Sequence, residues 1–361
     1  MSLNYFEEKE VVKKRLPRKR TEEQITKKET FRQAFEEFID VKKKQGLRAA
    51  SLNQFVVVFK NVENFHAESH DKPLILSNIT TAFLSDWIYW QKHECVRYGE
   101  NRFIPASAKT AGLSDSTIAT RIKRLKTFIN YCVKHDKFQR NPFDKVETFK
   151  QDATTIEILT RNEMDNLLKV CKNQSEKSYK NFRDLVLLHV LIDSMCRINE
   201  ALTLSPNDID HTNRSVIIRS SNAKSRRSRV IPLSNKTYRL IVQLIAENEA
   251  FDGEVDDLIF LSLSGRKLDN NNVLRDFRKL AVEAGIEQRF FLHQIRHSSA
   301  TLYLSSGGDL ETLRLILGHA DNRTTLIYLH LADVTVSKAH NDFGFFGNTN
   351  ATGRKRDNKR K

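Results

Sequence analysis

The twelve residues from Phe182 to Asp193, FRDLVLLHVLID, constrain this chain most. Leu and Val recur on nearly every side of the helix they would form. A helix that is apolar all round must be buried, so this one has to be the centre of a core. Its C-terminal end delivers Arg197 within Asp193-Ser194-Met195-Cys196-Arg197-Ile198-Asn199-Glu200. A guanidinium between apolar helices is costly unless it is paired, and Glu200, one turn on, is a candidate partner. A structural ion pair would account for the two residues equally well.

Partners are bounded by charge. The chain has 361 residues, a net charge of +15 and a pI of about 9.6. That is long enough for two domains, with a surface that attracts polyanions, of which nucleic acid is the commonest. The longest apolar runs, such as Phe55 to Phe59, are far too short to span a bilayer, and the charged start has no signal-peptide core. Both features predict a cytosolic protein with no membrane partner. Cys95, Cys132, Cys171 and Cys196 form no Cys-x-x-Cys pair and no zinc-like cluster, and read as reduced, mostly buried thiols. No Gly-rich phosphate loop is present, so neither a nucleotide cofactor nor a metal is indicated.

Residues 1 to about 28 are charge-dense and lack an apolar stripe, as either a solvated leader or a basic arm along DNA phosphates would. Helical periodicity begins at Glu29, with Phe31, Phe35, Phe38 and Ile39 on one face. Ser51 is a candidate cap for the next helix, which carries Leu52, Phe55, Phe59, Val62 and Phe65. A third helix starts near Thr80 or Thr81, and its Trp87 and Trp90 read as core. Residues 97–112 read as a loop. Ser114 or Ser116 caps a fourth helix whose stripe is Ile118, Ile122, Leu125, Ile129 and Cys132. Its other side carries Arg121, Lys123, Arg124 and Lys126. That side is either an ordinary solvated face or a DNA-docking one, with Arg121, Arg124 and Lys126 the candidate contacts. Asn141-Pro142-Phe143 breaks this helix, and a linker follows.

The second half opens with a strand-like run, Ile156 to Leu159, and a helix capped by Thr160. After Glu200 come two β-branched runs, Ser215 to Ser220 and Arg229 to Leu233, flanking a polar segment. This is a β-hairpin, with Lys224 in or beside its tip and Arg226 and Arg227 following. Helices are predicted over 238–246 and 270–284. Then comes LHQIRHSSATLYLSSGGDLETLRLILGHADNRTTLIY, from Leu292 to Tyr328. His293 and Arg296 share one helical face, His319 follows Gly318, and Tyr328 closes the stretch. Arg with two His suggests an anionic ligand, and a Tyr brought to the same anion can act as a nucleophile. Beyond it, 334–339 reads as amphipathic. Phe343, Phe345 and Phe346 would dock on this or another subunit.

Each motif alone is common. The ordered set of Arg197, Lys224 on a hairpin, His293-x-x-Arg296, His319 and Tyr328 resembles the tyrosine recombinase (phage integrase) family. Arg197-Ile198-Asn199-Glu200 looks like its Arg-Ile-Ser-Glu box, and Lys224 followed by Arg229-Val230-Ile231-Pro232-Leu233 like its Lys hairpin. Leu317-Gly318-His319 and Thr324-Thr325-x-x-Tyr328-x-His330 look like its C-terminal boxes. One position departs: Met195 stands where the family usually has Gly. The resemblance implies a mainly α fold with a small antiparallel β-sheet (α+β). Its parts would be a basic arm over 1–28, a helical core-binding domain over 29–150, a catalytic domain over 151–345 and a basic tail over 346–361. It further implies a recombinase working through a 3′-phosphotyrosyl link without metal, ATP or other cofactor, integrating, excising or transposing a mobile element. Tyr328 would be the nucleophile, Arg197 and Arg296 the phosphate clamp, Lys224 the leaving-group acid, His293 a proton acceptor or donor, and His319 a donor to phosphate. Double-stranded DNA, a homotetramer on two sites and accessory element-encoded proteins would be the partners, in a nucleoid-associated setting in a bacterial cytoplasm. Chromosome or plasmid dimer resolution, a type IB topoisomerase and a non-catalytic helix-turn-helix regulator over 310–326 are the rival readings.

Overall fold

The computed structural model describes residues 29–97, 105, 107, 109–147, 156–219, 228–251 and 253–331. The expected basic arm, the tip of the hairpin with Lys224, Arg226 and Arg227, and the segments after Leu331 lie outside the described residues. The chain divides into two compact units, Met1–Thr154 and Thr155–Lys361.

The first unit holds α1 (Phe31–Lys44), α2 (Ala49–Ala67), α3 (Thr81–His93) and α4 (Asp115–Lys134). Thr30 and Gln33 form a capping box at the start of α1, which satisfies two donors that the first turn leaves open. The Phe spacing puts one aromatic cluster inside. Phe35 stacks on Phe59 at 4.2 Å and Phe38 meets Phe128 edge-on at 5.5 Å. Burying each such ring is worth roughly 1.5–3 kcal/mol. Helix α2 begins ahead of Ser51, after Arg48, with no side-chain cap, because Ala49 and Ala50 are strong helix formers that extend it backwards. Trp87 and Trp90 are core, and their indole N–H groups donate to Asn61 (3.1 Å) and Glu68 (2.6 Å). Ser114 caps α4, and its expected stripe is buried.

The second unit is built around α6 (Tyr179–Ser194), which packs on α5 (Arg161–Ser175) and α8 (Asn235–Asn248). Leu185 to Leu188, Val190 and Leu191 are all buried, as a helix apolar on every side requires. Helix α7 (Ile198–Ala201) follows it. The hairpin is β2 (Ser215–Ile218) and β3 (Arg229–Pro232), antiparallel with Ile218 opposite Arg229. A two-residue strand, β1 (Ile209–Asp210), adds to its other edge. Next come α9 (Asn270–Glu283), α10 (Leu292–Ser305), α11 (Leu310–Leu317) and α12 (Arg323–Leu331). The run Ile156 to Leu159 belongs to no strand. Its last backbone N–H donates 2.7 Å to the Ser298 hydroxyl on α10, so a side chain takes the place of a neighbouring strand. All four cysteines are buried and free. Among the described residues no helix is long and apolar enough to cross a membrane.

Candidate active site

The site forms where α6 ends, where β3 begins, and along one side of α10, α11 and α12. Its floor is apolar, made by Met195, Ala300, Leu304, Leu313, Leu317 and Tyr328. Tyr328 on α12 is only 1% exposed.

Met195 caps α6 in the left-handed region, with φ 50 and ψ 25. The residue in the usual glycine position therefore takes the backbone shape that glycine would, and its side chain joins the floor. The turn aims the Met195 carbonyl at Arg296, whose Nη1 donates to it at 2.6 Å. Arg296 Nη2 donates to the Leu317 carbonyl at 2.9 Å and lies 3.2 Å from His319 Nε2. A guanidinium can only donate, so His319 accepts at Nε2 and carries its proton on Nδ1, 2.9 Å from the Thr325 hydroxyl. Thr325 is fully buried beneath it.

Arg197 caps α7. Its Nη1 donates to Glu200 Oε1 at 3.1 Å, and its backbone N–H donates to Oε2 at 2.9 Å. The expected partnership is present, but it is shared. Arg229 Nη2 donates to Glu200 Oε2 at 2.7 Å, and Arg229 Nε to the Ile316 carbonyl at 2.8 Å. Side chains alternate along a strand, so Arg229 faces inward with Ile231 while Val230 is 62% exposed. Arg229 also lies against Gly318, the left-handed cap of α11 at φ 64, where an added Cβ would come within 3.0 Å of Nη1. Two guanidinium groups thus share one carboxylate, and a third, Arg296, lies near enough to feel its charge.

The protonation states follow from that charge balance. Burial alone would raise the Glu200 carboxyl, but Arg229, the Arg197 backbone N–H and the Arg197 charge hold it below its usual range. Burial and then the like charge of Arg197 bring Arg296 down to about 10. His319 is pushed down to about 4 by burial, then by Arg296, Arg197 and Arg229, so it stays neutral at physiological pH. Burial raises the Tyr328 phenol, and Arg296 and Arg197 oppose that rise. The excess positive charge, set beside a buried phenol, makes the site a receptor for an anion that the phenol could attack.

Of the residues expected from sequence, Arg197, Arg296, His319 and Tyr328 come together. His293 is exposed and touches the ring of His297 at 4.9 Å, and His297 in turn lies 5.5 Å from the Tyr328 ring. In the first unit Arg121, Arg124 and Lys126 on α4 are half-buried and Lys123 is exposed. Arg121 donates to Gln91 at 3.2 Å, Arg124 donates to Gln54 with its guanidinium 5.1 Å from the Phe55 ring, and the Lys126 ammonium lies 5.3 Å from the Phe143 ring. His297 was not singled out from sequence, and Arg229 and Thr325 entered there only as members of the family's boxes, without a role in the site.

Comparison with known proteins agrees with this architecture. Residues 157–334 match the phage integrase family, and residues 30–150 match the phage integrase SAM-like domain. The chain belongs to the phage integrase, or tyrosine recombinase, family, a class of enzymes that cleave and rejoin DNA. It is similar to the tyrosine recombinase XerC of Serratia marcescens, with 29% identity over 230 residues, 64% of this chain and 73% of that one. Its fold is similar to that of the Tn1549 transposon integrase in complex with a circular intermediate DNA, with a TM-score of 0.65 and 18% identity over 87% of this chain and 98% of that one. The fold of the XerH site-specific recombinase in its post-cleavage complex with palindromic difH is also similar. That match has a TM-score of 0.63 and 19% identity over 83% of this chain and 81% of the other.

Proposed function

We propose that this chain is a site-specific DNA recombinase that cuts and rejoins double-stranded DNA through Tyr328, in the service of a mobile element. The observation that carries the reading is a cluster of three guanidinium groups beside the buried Tyr328 phenol, Arg197 and Arg229 bound to the single carboxylate of Glu200 and Arg296 held by backbone carbonyls within reach of its charge. One carboxylate leaves an excess of positive charge at a place where a backbone phosphate would supply the balance.

In this reading the Tyr328 oxygen attacks phosphorus and forms a 3′-phosphotyrosyl bond. The phosphorus–5′-oxygen bond breaks, and Lys224 protonates the departing oxygen. Arg197 and Arg296 neutralise the non-bridging oxygens as charge grows on them. His319 donates to one of those oxygens through Nε2. For that, its proton moves from Nδ1 to Nε2, and the Thr325 hydroxyl turns from acceptor to donor at Nδ1. A 5′-hydroxyl from a partner strand then reverses the step. The phosphotyrosyl link conserves the energy of the broken bond, so no nucleotide is consumed. Arg121, Arg124, Lys126, Arg226 and Arg227 are the proposed DNA contacts outside the reaction centre, in an assembly of four protomers on two sites. The fold likeness to a transposon integrase supports the mobile-element role. The likeness to XerC supports dimer resolution as the second reading.

The test is incubation of the full chain with a nicked duplex carrying the terminal sequence of the DNA segment that encodes it. A covalent adduct on a denaturing gel, lost in Tyr328→Phe while DNA retention persists, is the expected result. A full-strength adduct from Tyr328→Phe would sink the assignment. Recombination of a chromosomal dimer site in preference to those ends would favour resolution.

A further inference from the structure

Helix α10 carries a second imidazole that faces the nucleophile. His293 and His297 lie one turn apart and share a side of the helix. Their rings meet edge-on, 4.9 Å apart and at 79°. The His297 ring lies 5.5 Å from the Tyr328 ring, tilted at 39°. His297 Nδ1 is buried and, among the described residues, has no hydrogen-bond partner. A buried ring nitrogen without a partner is expensive and calls for a reason. The other imidazole beside Tyr328 is His319, 6.4 Å away between ring centres, and both its nitrogens are committed, to Arg296 and to Thr325. Among the described residues, His297 is therefore the imidazole at Tyr328 with an uncommitted nitrogen.

We infer that His297 is the group that takes the proton from Tyr328, and that it passes a proton on to the exposed His293. The inference rests on the reading of Tyr328 as nucleophile. As the Tyr328 oxygen bonds to phosphorus, its proton goes to His297 Nδ1, while the leaving 5′-oxygen receives a different proton, from Lys224. The His297 imidazolium then releases its Nε2 proton to His293. In the rejoining step the incoming 5′-hydroxyl gives its proton to Lys224, and the departing tyrosyl oxygen recovers one from His297. No proton is gained or lost over the cycle.

The titratable and charged groups facing His297 are His293 and Arg296 from its own helix, His319 from the α11–α12 turn and Tyr328 from α12. Burial, then His293, then Arg296 push the His297 imidazolium down to about 4. The proton is consequently handed on rather than kept, as a relay requires. A phosphate bound opposite Arg296 offsets one of those causes and makes His297 a better acceptor at the moment of reaction.

The experiment measures the rate of adduct formation by the full chain on the nicked duplex from pH 6 to 9. Wild type, His297→Ala, His297→Gln and Tyr328→Phe are compared, with thermal unfolding run on each. Loss of a general base costs on the order of 10²–10⁴-fold, so both His297 variants are slowed by at least about 10²-fold at pH 7 with DNA retention unchanged. Without the base, the reaction needs free phenolate, whose fraction rises about tenfold per pH unit below its pKa. The deficit therefore shrinks as pH rises, and added imidazole restores part of the rate in His297→Ala. His297→Gln keeps the bulk and hydrogen-bonding capacity of the side chain and guards against a folding artefact. Rates within about threefold of wild type in both variants would overturn the relay, and so would a deficit constant across the pH range. Either result would leave the Tyr328 reading standing provided that Tyr328→Phe forms no adduct. An adduct in Tyr328→Phe would instead remove the reading on which the relay rests.

Discussion

Met195 allows a prediction in which two opposing effects can be weighed. The residue is 8% exposed, packs on the floor with Leu313, Leu317 and Tyr328, and holds φ at 50. A left-handed backbone costs a residue other than glycine roughly 1–2 kcal/mol, and truncating a buried Met costs roughly 2–5 kcal/mol. Met195→Ala keeps the strained backbone and loses the packing, so it should show the full truncation cost. Met195→Gly loses the same packing but relieves the strain, minus roughly 0.4–1 kcal/mol for the freer unfolded chain. The glycine variant should therefore be less stable than wild type yet more stable than the alanine variant by about 0.5–1 kcal/mol. At roughly 2–4 °C per kcal/mol for a unit of this size, the two melting points separate by about 1–4 °C. This order is the reverse of the one expected in ordinary helical backbone, where alanine exceeds glycine by roughly 0.5–1 kcal/mol. Thermal or urea unfolding of the three proteins measures it. Alanine matching or exceeding glycine would refute both the left-handed turn and the argument that Met195 stands in for glycine there. Because the Met195 carbonyl receives Arg296, both variants should also lose more cleavage than DNA retention.

Glu200→Gln leaves Arg229 and Arg197 facing a neutral group in a buried site. Breaking such a pair costs on the order of 3–5 kcal/mol, and urea unfolding should show a drop of that order; a drop below about 1 kcal/mol would contradict the shared-carboxylate arrangement. Arg296→Ala should stay folded and bind DNA but lose at least about 10²-fold in adduct formation; normal cleavage would count against the phosphate clamp. His189, His297 and His319 are each pushed down to about 4, first of all by burial. As pH falls below about 6.5 the unfolded chain takes up protons that the folded chain refuses. Stability is then undiminished by these groups above about 6.5 and declines progressively towards 4, so the melting point should fall between pH 7 and pH 5. A flat or rising melting point over that interval would contradict the buried neutral imidazoles.

Much of this organisation is legible in sequence because it is periodic or local. The apolar stripes of α1, α4 and α6 and the caps Ser114 and Thr160 follow from 3.6-residue spacing and from donors that only a side-chain oxygen can satisfy. Arg197, Arg296, His319 and Tyr328 stand out because their residue types and order are rarely found together. What was not legible depends on which distant element meets which. Arg229 reads as one more base on a basic hairpin until the register of β2 and β3 turns it inward onto Glu200. His297 reads as an unremarked neighbour of Arg296 until α12 brings Tyr328 against it. Periodicity cannot tell a strand from a strap, and Ile156 to Leu159 is a strap because its N–H finds Ser298 rather than a strand. Sequence places Arg121 and Arg124 on one basic side of α4 but does not show that α2 and α3 set Gln54 and Gln91 beside them.

The most direct test of the account is to isolate the covalent protein–DNA adduct, digest both components and identify by mass spectrometry the residue that carries the nucleotide. The account predicts one modified peptide, containing Tyr328 with a 3′-linked nucleotide phosphate on its phenolic oxygen, and a 5′-hydroxyl on the released strand. A nucleotide on any other residue, or a 5′-phosphate on the released strand, would contradict it.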